Sequence, residues 1–492
     1  MENQTTISPR DARWREELRK SLTAKERMAI PRVRMPELDP AYRVTCNEEV
    51  NRGLSAEQAV VEASRCLDCP DPQCVTGCPV SINIPGFIKN IERGEFAEAA
   101  TVLKETSALP AVCGRVCPQE RQCESKCIYN KTRREAVAIG YLERFAADTA
   151  RDSAATAEDT PATRHAAPDA IRVAVVGSGP ASLSFAGEMA RRGYAVHVFE
   201  ALHEIGGVLK YGIPEFRLPN EIVDAEIKEL RAAGVEFTHD CVIGKTLSYD
   251  DLLEQGFKGV FVASGAGLPR FMGIPGENYI GVMSSNEYLT RVNLMGAGRQ
   301  GWATPVIRGR KVAVIGGGNT AMDSCRTARR MGAEEVYIVY RRSEAEMPAR
   351  AEEVRHAKEE GVTFLTLHNP VEYLADEKGR VRAMRLQKME LGEPDESGRR
   401  SPRPVEGAIE EVEVDEVIVS VGVSPNPLIP DSIPGLEVTR RGTLVADENT
   451  LETTIPMLFA GGDIVRGGAT VILAMGDGRK AAAEMDKKIR NS

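Results

Sequence analysis

The sequence predicts an α/β protein: an N-terminal all-helical module that carries most of the cysteines, followed by two Rossmann-like nucleotide-binding domains. Three observations carry that prediction. Nine of the eleven cysteines fall between Cys46 and Cys127. No strand pattern appears before about residue 170. After it, "IRVAVVGSGPASLSFAGEMARRGYAVHVFE" (171–200) and "KVAVIGGGNTAMDSCRTARRMGAEEVYIVYRR" (311–342) follow one plan of strand, glycine turn, helix and strand, the βαβ unit of a parallel sheet.

At 492 residues the chain has room for two to four cores. A formal charge of −9 offers no basic excess to neutralise phosphates, which argues against general binding to nucleic acid or anionic membranes. An aromatic content of 5% leaves little for stacking on bases. The first thirty residues mix acids and bases without an apolar core segment, and no apolar run is long enough to span a bilayer. The expectation is a cytoplasmic chain, where thiols stay reduced and clustered cysteines favour metal over disulfides.

Residues 1–45 read as an arm with a short helix near Asp11–Met28. Ser55 and Gln58 form a capping box that opens a helix running into Cys66. "IPGFIKNIERGEFAEAATVLKE" has helical apolar spacing with a break at Gly94. The cysteine module is expected over 1–150, and the Ala-, Thr- and Asp-rich stretch 151–170 reads as a linker. Beyond it, an FAD domain is expected over 171–305 and 430–492, interrupted by an NADPH domain over 306–429.

In the first βαβ unit Gly177, Gly179 and Ser182 fill the G-x-G-x-x-G positions. Pro180 and Ala181 open the helix whose N-terminus would receive a pyrophosphate. Glu200 ends the second strand, where an acid hydrogen-bonds a ribose hydroxyl. The second unit carries Gly316, Gly318 and Ala321, with Asn319 and Thr320 opening its helix. Its second strand ends in Arg341 and Arg342 in place of an acid, a pair suited to a 2′-phosphate; a solvated arginine pair is the plainer alternative. Two unlike sites imply two cofactors, FAD in the first unit and NADPH in the second. "FVASGAG", which contains Gly265, and "LFAGGDIV", which contains Gly462 and Asp463, end apolar strands at turns a ligand could approach, and Thr470 opens the last helix. Asp463 as a plain helix-start residue is the alternative.

The run "CLDCPDPQCVTGCP" is C-x2-C-x4-C-x3-C-P, and "CGRVCPQERQCESKC" adds four cysteines and a second C-P. Thiolate ligation of iron–sulfur clusters explains both the density and the prolines. Zinc remains an alternative, although only Cys66 and Cys69 have knuckle spacing, and disulfides are a weaker one. Cys241 and Cys325 stand alone, so no dithiol pair serves the flavin.

Together with "CPVSINIPGFI", "LPAVCGRVCPQERQCE", "AIGYLERF", "GGVLKYGIPEFRLP", "GGGNTAMD" and "VYRRSEAEMPAR", these motifs resemble the small (beta) subunit family of NADPH-dependent glutamate synthase. Its relatives include the large subunit of NADH-dependent ferredoxin–NADP oxidoreductase and the N-terminal part of dihydropyrimidine dehydrogenase. The resemblance covers nearly all of residues 30–492. It implies the two-dinucleotide-binding flavoprotein fold with the NADPH domain inserted into the FAD domain. It also implies one [4Fe–4S] cluster on Cys66, Cys69, Cys74 and Cys127, and another on Cys78, Cys117, Cys123 and Glu143. An all-cysteine alternative replaces Glu143 by Cys113. The resemblance places Gly207, Leu209 and Arg217 along the flavin. Hydride transfer needs positioned rings more than an acid or base, so no side chain is assigned a catalytic proton.

The expected activity is entry of electrons from NADPH through FAD and the two clusters to a partner subunit. The family's FMN-containing glutamate synthase large subunit is the first candidate. A small [2Fe–2S] flavoprotein subunit of a bifurcating oxidoreductase is the second, and a non-catalytic cluster-bearing scaffold is the remote reading.

Overall fold

The computed structural model describes residues 8–156, 166–396 and 398–491. Up to residue 156 the described chain is helical, its one β-bridge joining Glu37 to Asn51. The helix expected near Asp11–Met28 is two, Arg13–Ser21 and Ala24–Ala29, because Thr23 caps the second through a reciprocal bond with Glu26. The capping box at Ser55 is present, with the Ser55 side chain accepting from the Gln58 N–H ahead of Ala56–Ser64. Gly94, at φ +82°, separates Ile84–Glu92 from Phe96–Lys104. The stretch expected as a linker begins as helix, since Ile139–Thr156 runs into it; residues 157–165 lie outside the described residues.

Two five-stranded parallel sheets follow. The first has the order Leu458–Ala460, Gly259–Val262, Arg172–Val176, Ala195–Phe199, Glu236–Thr238. The second has the order Val282–Ser284, Glu416–Val419, Lys311–Ile315, Glu335–Tyr340, Thr363–Thr366. The central strands are buried on both faces, as a parallel sheet covered by helices requires. The chain leaves the first sheet after Gly259–Val262 and returns with Leu458–Ala460, so the second sheet is an insertion into the first. Val282–Ser284 lies on the early side of the boundary drawn at 305/306, yet its hydrogen bonds belong to the second sheet. A short three-residue strand with no glycine turn of its own gave no signal of that change. Leu268–Pro269 and Val423–Ser424 pair antiparallel where the chain passes between the two sheets. An antiparallel sheet, His368–Ala375, Val381–Pro394 and Arg400–Glu413, is added to the second.

The cysteine module and the first sheet share one apolar core, in which Phe87, Leu103 and Leu142 are continuous with Val175, Phe185 and Met475. Helix Val471–Arg490 lies along Pro180–Arg191 within it. The second sheet has its own core on each face.

Candidate functional site

Cys66, Cys69, Cys74 and Cys127 line one cavity of about 210 Å³, whose apolar wall includes Ile84, Ile88, Val137 and Ile139. Cys66 and Cys69 stand on the turn after Ala56–Ser64, and Cys74 is in the short helix Gln73–Thr76. Cys127 arrives from the second cysteine group. Burial pushes the Cys66 thiol up to about 11, with Lys89 pulling the other way. Cys74 is raised further by burial and then by Cys66, Cys127 and Cys69. Four thiols gathered in a largely apolar pocket are neutral as they stand, and as thiolate ligands they would need a cationic core between them. The set fits a [4Fe–4S] cluster, whose core would supply that charge.

The second group gathers Cys78, Cys117, Cys123 and Glu143. Cys117 ends helix Pro110–Val116, and Glu143 projects from Ile139–Thr156. Burial raises the Cys78 thiol to about 11, and Glu143 and Cys117 add to it. Cys123 is raised by burial first, then by Glu124, Glu143, Cys117 and Cys78. Burial, with Glu226 second, lifts the Glu143 carboxyl to about 8, and its Oε1 is buried without a hydrogen-bond partner. A carboxyl group with one orphaned oxygen among four thiols, Cys113 included, fits a metal cluster rather than a structural ion pair. Cys113 is buried beside the same group, its thiol raised first by a hydrogen bond with Cys117 and then by burial, Cys117, Glu143 and Cys78, and its Sγ is 3.4 Å from Sδ of Met475.

The first nucleotide turn has the shape its sequence requires. Gly207 takes φ +56°, and a Cβ there would stand 3.0 Å from Cα of Gly179. Glu200 is buried at the strand end and accepts from the Ser178 N–H at 2.8 Å and from the Leu202 N–H at 2.9 Å. Ser178 Oγ in turn accepts from the Gly206 N–H, which ties the two glycine turns together. Nothing lies within 4 Å of a Cβ built on Gly179 or Gly265, so both face open space. Burial raises Asp463 to about 6, and its Oδ1 accepts from the Ala469 N–H. Thr470 caps Val471–Arg490. Tyr211, which the sequence reading passed over, has its hydroxyl raised to about 12 by burial, then by Asp463 and Glu200, which places it among these residues. Leu209 is fully buried in the shared core. Arg217 does not join the group: its Nη1 is 2.7 Å from both Asp323 oxygens, and its Nε is 3.3 Å from Glu353. The Arg217 guanidinium is buried beside these two carboxylates of the second domain.

In the second turn a Cβ on Gly316 would stand 2.3 Å from the Ser420 carbonyl oxygen, so no other residue fits. Ala321 is fully buried against the strand, and Asn319 Oδ1 accepts from the Arg350 N–H. The two arginines part company. Arg342 is buried, donating to the Arg400 carbonyl and to Asp395 at 2.6 Å, whereas Arg341 is exposed. The added antiparallel sheet therefore claims Arg342, and Arg341 is the one left exposed at the strand end.

The contacts between modules had no local signal in the sequence. Gln122, between two cysteines of the second group, donates to Thr470 Oγ1 at 3.4 Å. Arg479 donates to the carbonyls of Val80 and Thr106, and Gly476 passes close to Pro79. The helix that closes the flavin turn is thus the helix on which the second cysteine group rests. On the other side Arg121 donates to the carbonyls of Met347, Pro348 and Ala349, and Arg350 donates to the Arg115 carbonyl and to Gln119. No helix among the described residues is long and apolar enough to cross a membrane.

Comparison with known proteins agrees with this geometry. Residues 43–155 match the family described as dihydropyrimidine dehydrogenase domain II, 4Fe-4S cluster, and residues 171–478 match pyridine nucleotide-disulphide oxidoreductase. The glutamate synthase [NADPH] small chain of Azospirillum brasilense is 38% identical over 456 residues, covering 91% of this chain and 93% of that protein. The Escherichia coli protein of the same name is 37% identical over 440 residues, covering 88% and 92%. The NADP(+)-dependent formate dehydrogenase subunit beta of Moorella thermoacetica is 38% identical over 436 residues, but 85% of this chain accounts for only 60% of that one. Among solved structures, Mycobacterium tuberculosis FprA in complex with NADPH has a TM-score of 0.55 at 21% identity, covering 65% of this chain and 85% of that one, a likeness of fold. The chain is an NADPH-dependent flavin and iron–sulfur oxidoreductase whose cofactors are NADPH, FAD and [4Fe–4S] centres. Sharing both domains and nearly its whole length with proteins of one kind, it belongs to the family of the glutamate synthase [NADPH] small chains.

Proposed function

We propose that this chain is the electron-entry subunit of a hetero-oligomer, with glutamate synthase as the first candidate complex. The observation that carries the reading is the serial order of the sites. The second cysteine group rests on the helix that closes the flavin turn. The first group lines a pocket of its own to which that helix contributes no residue, so it is the outer of the two. The ligands are Cys78, Cys117, Cys123 and Glu143 for the inner cluster and Cys66, Cys69, Cys74 and Cys127 for the outer.

The chemistry these groups supply when bound is hydride transfer from NADPH to the flavin and one-electron passage through the clusters. The protein's own contribution is positional. Glu200 and the turn at Gly177–Gly179 hold the adenosine end of the dinucleotide, while Asp463 and Thr470 hold its middle at the start of Val471–Arg490. Gly316, Gly318 and Asn319 receive the second pyrophosphate, and Arg341 meets the 2′-phosphate. The Arg217–Asp323 pair fixes the two nucleotide domains against each other, so the rings meet without a catalytic acid or base. We place the FAD domain in the first sheet with the C-terminal helix, and the NADPH domain in the second sheet, starting near Val282.

The bare partner question has a second answer worth testing, because relatives named for formate dehydrogenase and for NADPH-Fe(3+) oxidoreductase reach 38% and 36% identity. Anaerobic purification from the native cell, followed by mass spectrometry and titration with NADPH, tests both levels. Bleaching of the flavin and co-purification of a large FMN-bearing subunit are expected. A partner of another kind would redirect the assignment, and a flavin that NADPH leaves oxidised would refute electron entry altogether.

A further inference from the structure

The turn that carries Cys66 and Cys69 contains an unusual residue. Asp68 adopts φ +51°, the left-handed region, and its side chain is fully buried. Left-handed backbone costs an L-residue roughly 1 kcal/mol or more unless its surroundings hold it there. Here the hold comes from a distant helix. Arg15 engages both carboxylate oxygens of Asp68, and Arg19 Nη1 lies 2.5 Å from Oδ2. Arg10 donates to the Asp68 carbonyl at 3.0 Å, and Arg19 also donates to the Arg10 carbonyl. Arg15 is itself buried, anchored by its bond to the Ser8 carbonyl at 2.6 Å. Lys89 donates to the Cys66 carbonyl in the same turn. All three arginines belong to the segment holding helix Arg13–Ser21, which lies before residue 43, where the match to the iron–sulfur family begins.

Two consequences follow from chemistry alone. A C-x2-C turn ligates one cluster only if both sulfurs face the same side, and the conformation at Asp68 decides that. The potential of an iron–sulfur centre also follows the net charge around it. The buried Asp68 carboxylate stands among the guanidinium groups of Arg10, Arg15 and Arg19, so the charge behind the Cys66–Cys69 turn is net positive. We propose that Asp68, clamped by Arg15 and Arg19, is a positioning residue that fixes this turn and, with those cations, sets the reduction potential of the outer cluster alone. The proposal rests on the assignment of Cys66, Cys69, Cys74 and Cys127 to one cluster.

The test is an anaerobic redox titration of the holoprotein, followed by low-temperature electron paramagnetic resonance, together with iron content. Asp68→Asn tolerates the left-handed conformation and keeps an acceptor oxygen, so it removes charge with little change of shape. It should raise the midpoint of one cluster. Arg19→Gln removes a cation from a partly exposed position and should lower the same midpoint. Arg15→Lys, which retains the charge, should leave the midpoint near that of the wild type. The other cluster should not move in any of the three, because general loosening would shift both centres in one direction. Shifts of equal sign in Asp68→Asn and Arg19→Gln, shifts shared by both clusters, or no shift would overturn the proposal. Full iron content in Cys69→Ser would instead overturn the ligand assignment beneath it.

Discussion

Glu143 and Arg341 are the two residues at which the chemistry is most exposed to test. A carboxylate buried to this degree ordinarily finds a cation or several N–H donors, because an ionised group without them is costly. Glu143 has an oxygen with no partner, and the nearest titrating groups are thiols and Glu226, all of its own sign when ionised. A protonated carboxyl relieves that arrangement at neutral pH, and a bound cation core would relieve it with the group ionised. Glu143→Ala should therefore reduce iron to about half, one cluster of two being lost, while the flavin spectrum persists. Unchanged iron and an unchanged spectrum would return Cys113 to the ligand set. Arg341 is tested differently. Its guanidinium is exposed at the strand end while Arg342 is anchored to Asp395 and the Arg400 carbonyl. A charged hydrogen bond to phosphate contributes about 1.5–3 kcal/mol, so Arg341→Ala should raise KM for NADPH by roughly tenfold to a hundredfold and leave KM for NADH unchanged. Arg342→Ala should act mainly on thermal stability, by freeing the hairpin that it ties down.

Elements differ in how far a sequence can announce them. The helix at Ala56–Ser64 and both βαβ units are legible because their signals are local: a capping box, a glycine turn, and a strand buried on both faces. Val282–Ser284 and the long pair Val381–Pro394 and Arg400–Glu413 are not, since their identity depends on partners far along the chain. The same division runs through the site. The cysteines as an iron–sulfur ligand set and Glu200 are read from density and position. The division of the cysteines between two clusters comes only from the resemblance, and the pairing of Arg217 with Asp323, 106 residues away, has no signal. Helix Val471–Arg490 shows how an element can be identified correctly and its most constrained residue still missed. A Cβ on Gly478 would stand 2.1 Å from the Ala181 carbonyl oxygen and 2.9 Å from the Phe185 amide nitrogen. That closeness lets the helix lie against Pro180–Arg191, whose N-terminus is the flavin turn. Overpacking of a fixed contact costs about 1–3 kcal/mol or more, and backbone cannot move aside as a side chain can. Gly478→Ala should lower the flavin-to-protein ratio and the Tm together, whereas an exposed helical glycine replaced by alanine would raise stability. Retention of full flavin would show that the two helices can separate without cost to the site.

At the scale of the molecule three modules meet in a buried network of charge, and its hub is Glu360. Burial alone would raise this carboxyl, but Arg326 and Arg330 hold it down at about 2. Arg43 approaches it from the N-terminal arm at 2.9 Å, 317 residues away in sequence, and also reaches Glu359. The arm is fastened further by Glu37 to Arg355, by the Cys46 carbonyl to Arg330, and by the Val50 N–H to the Phe216 carbonyl. A strap from the cysteine module thus crosses the face of the NADPH domain and is tied on its far side to the flavin domain. Such a tie sets the angle between the nicotinamide and flavin sites, which a single flexible connection between two domains would leave free to change. Glu360→Gln tests the hub without removing bulk. Arg326 keeps Glu353, and Arg43 keeps Glu359. The charge at their common centre is lost nonetheless, and loss of one partner from a buried ionic group costs about 3–5 kcal/mol. Hydrogen exchange should rise across residues 35–52 and 351–360 while the cysteine groups stay protected and iron is retained. The flavin should then be reduced by NADPH more slowly at saturating nucleotide, with its affinity for NADP(H) little changed. If reduction stays as fast as in the wild type while the strap exchanges freely, the domains are aligned by Arg217 and Asp323 alone.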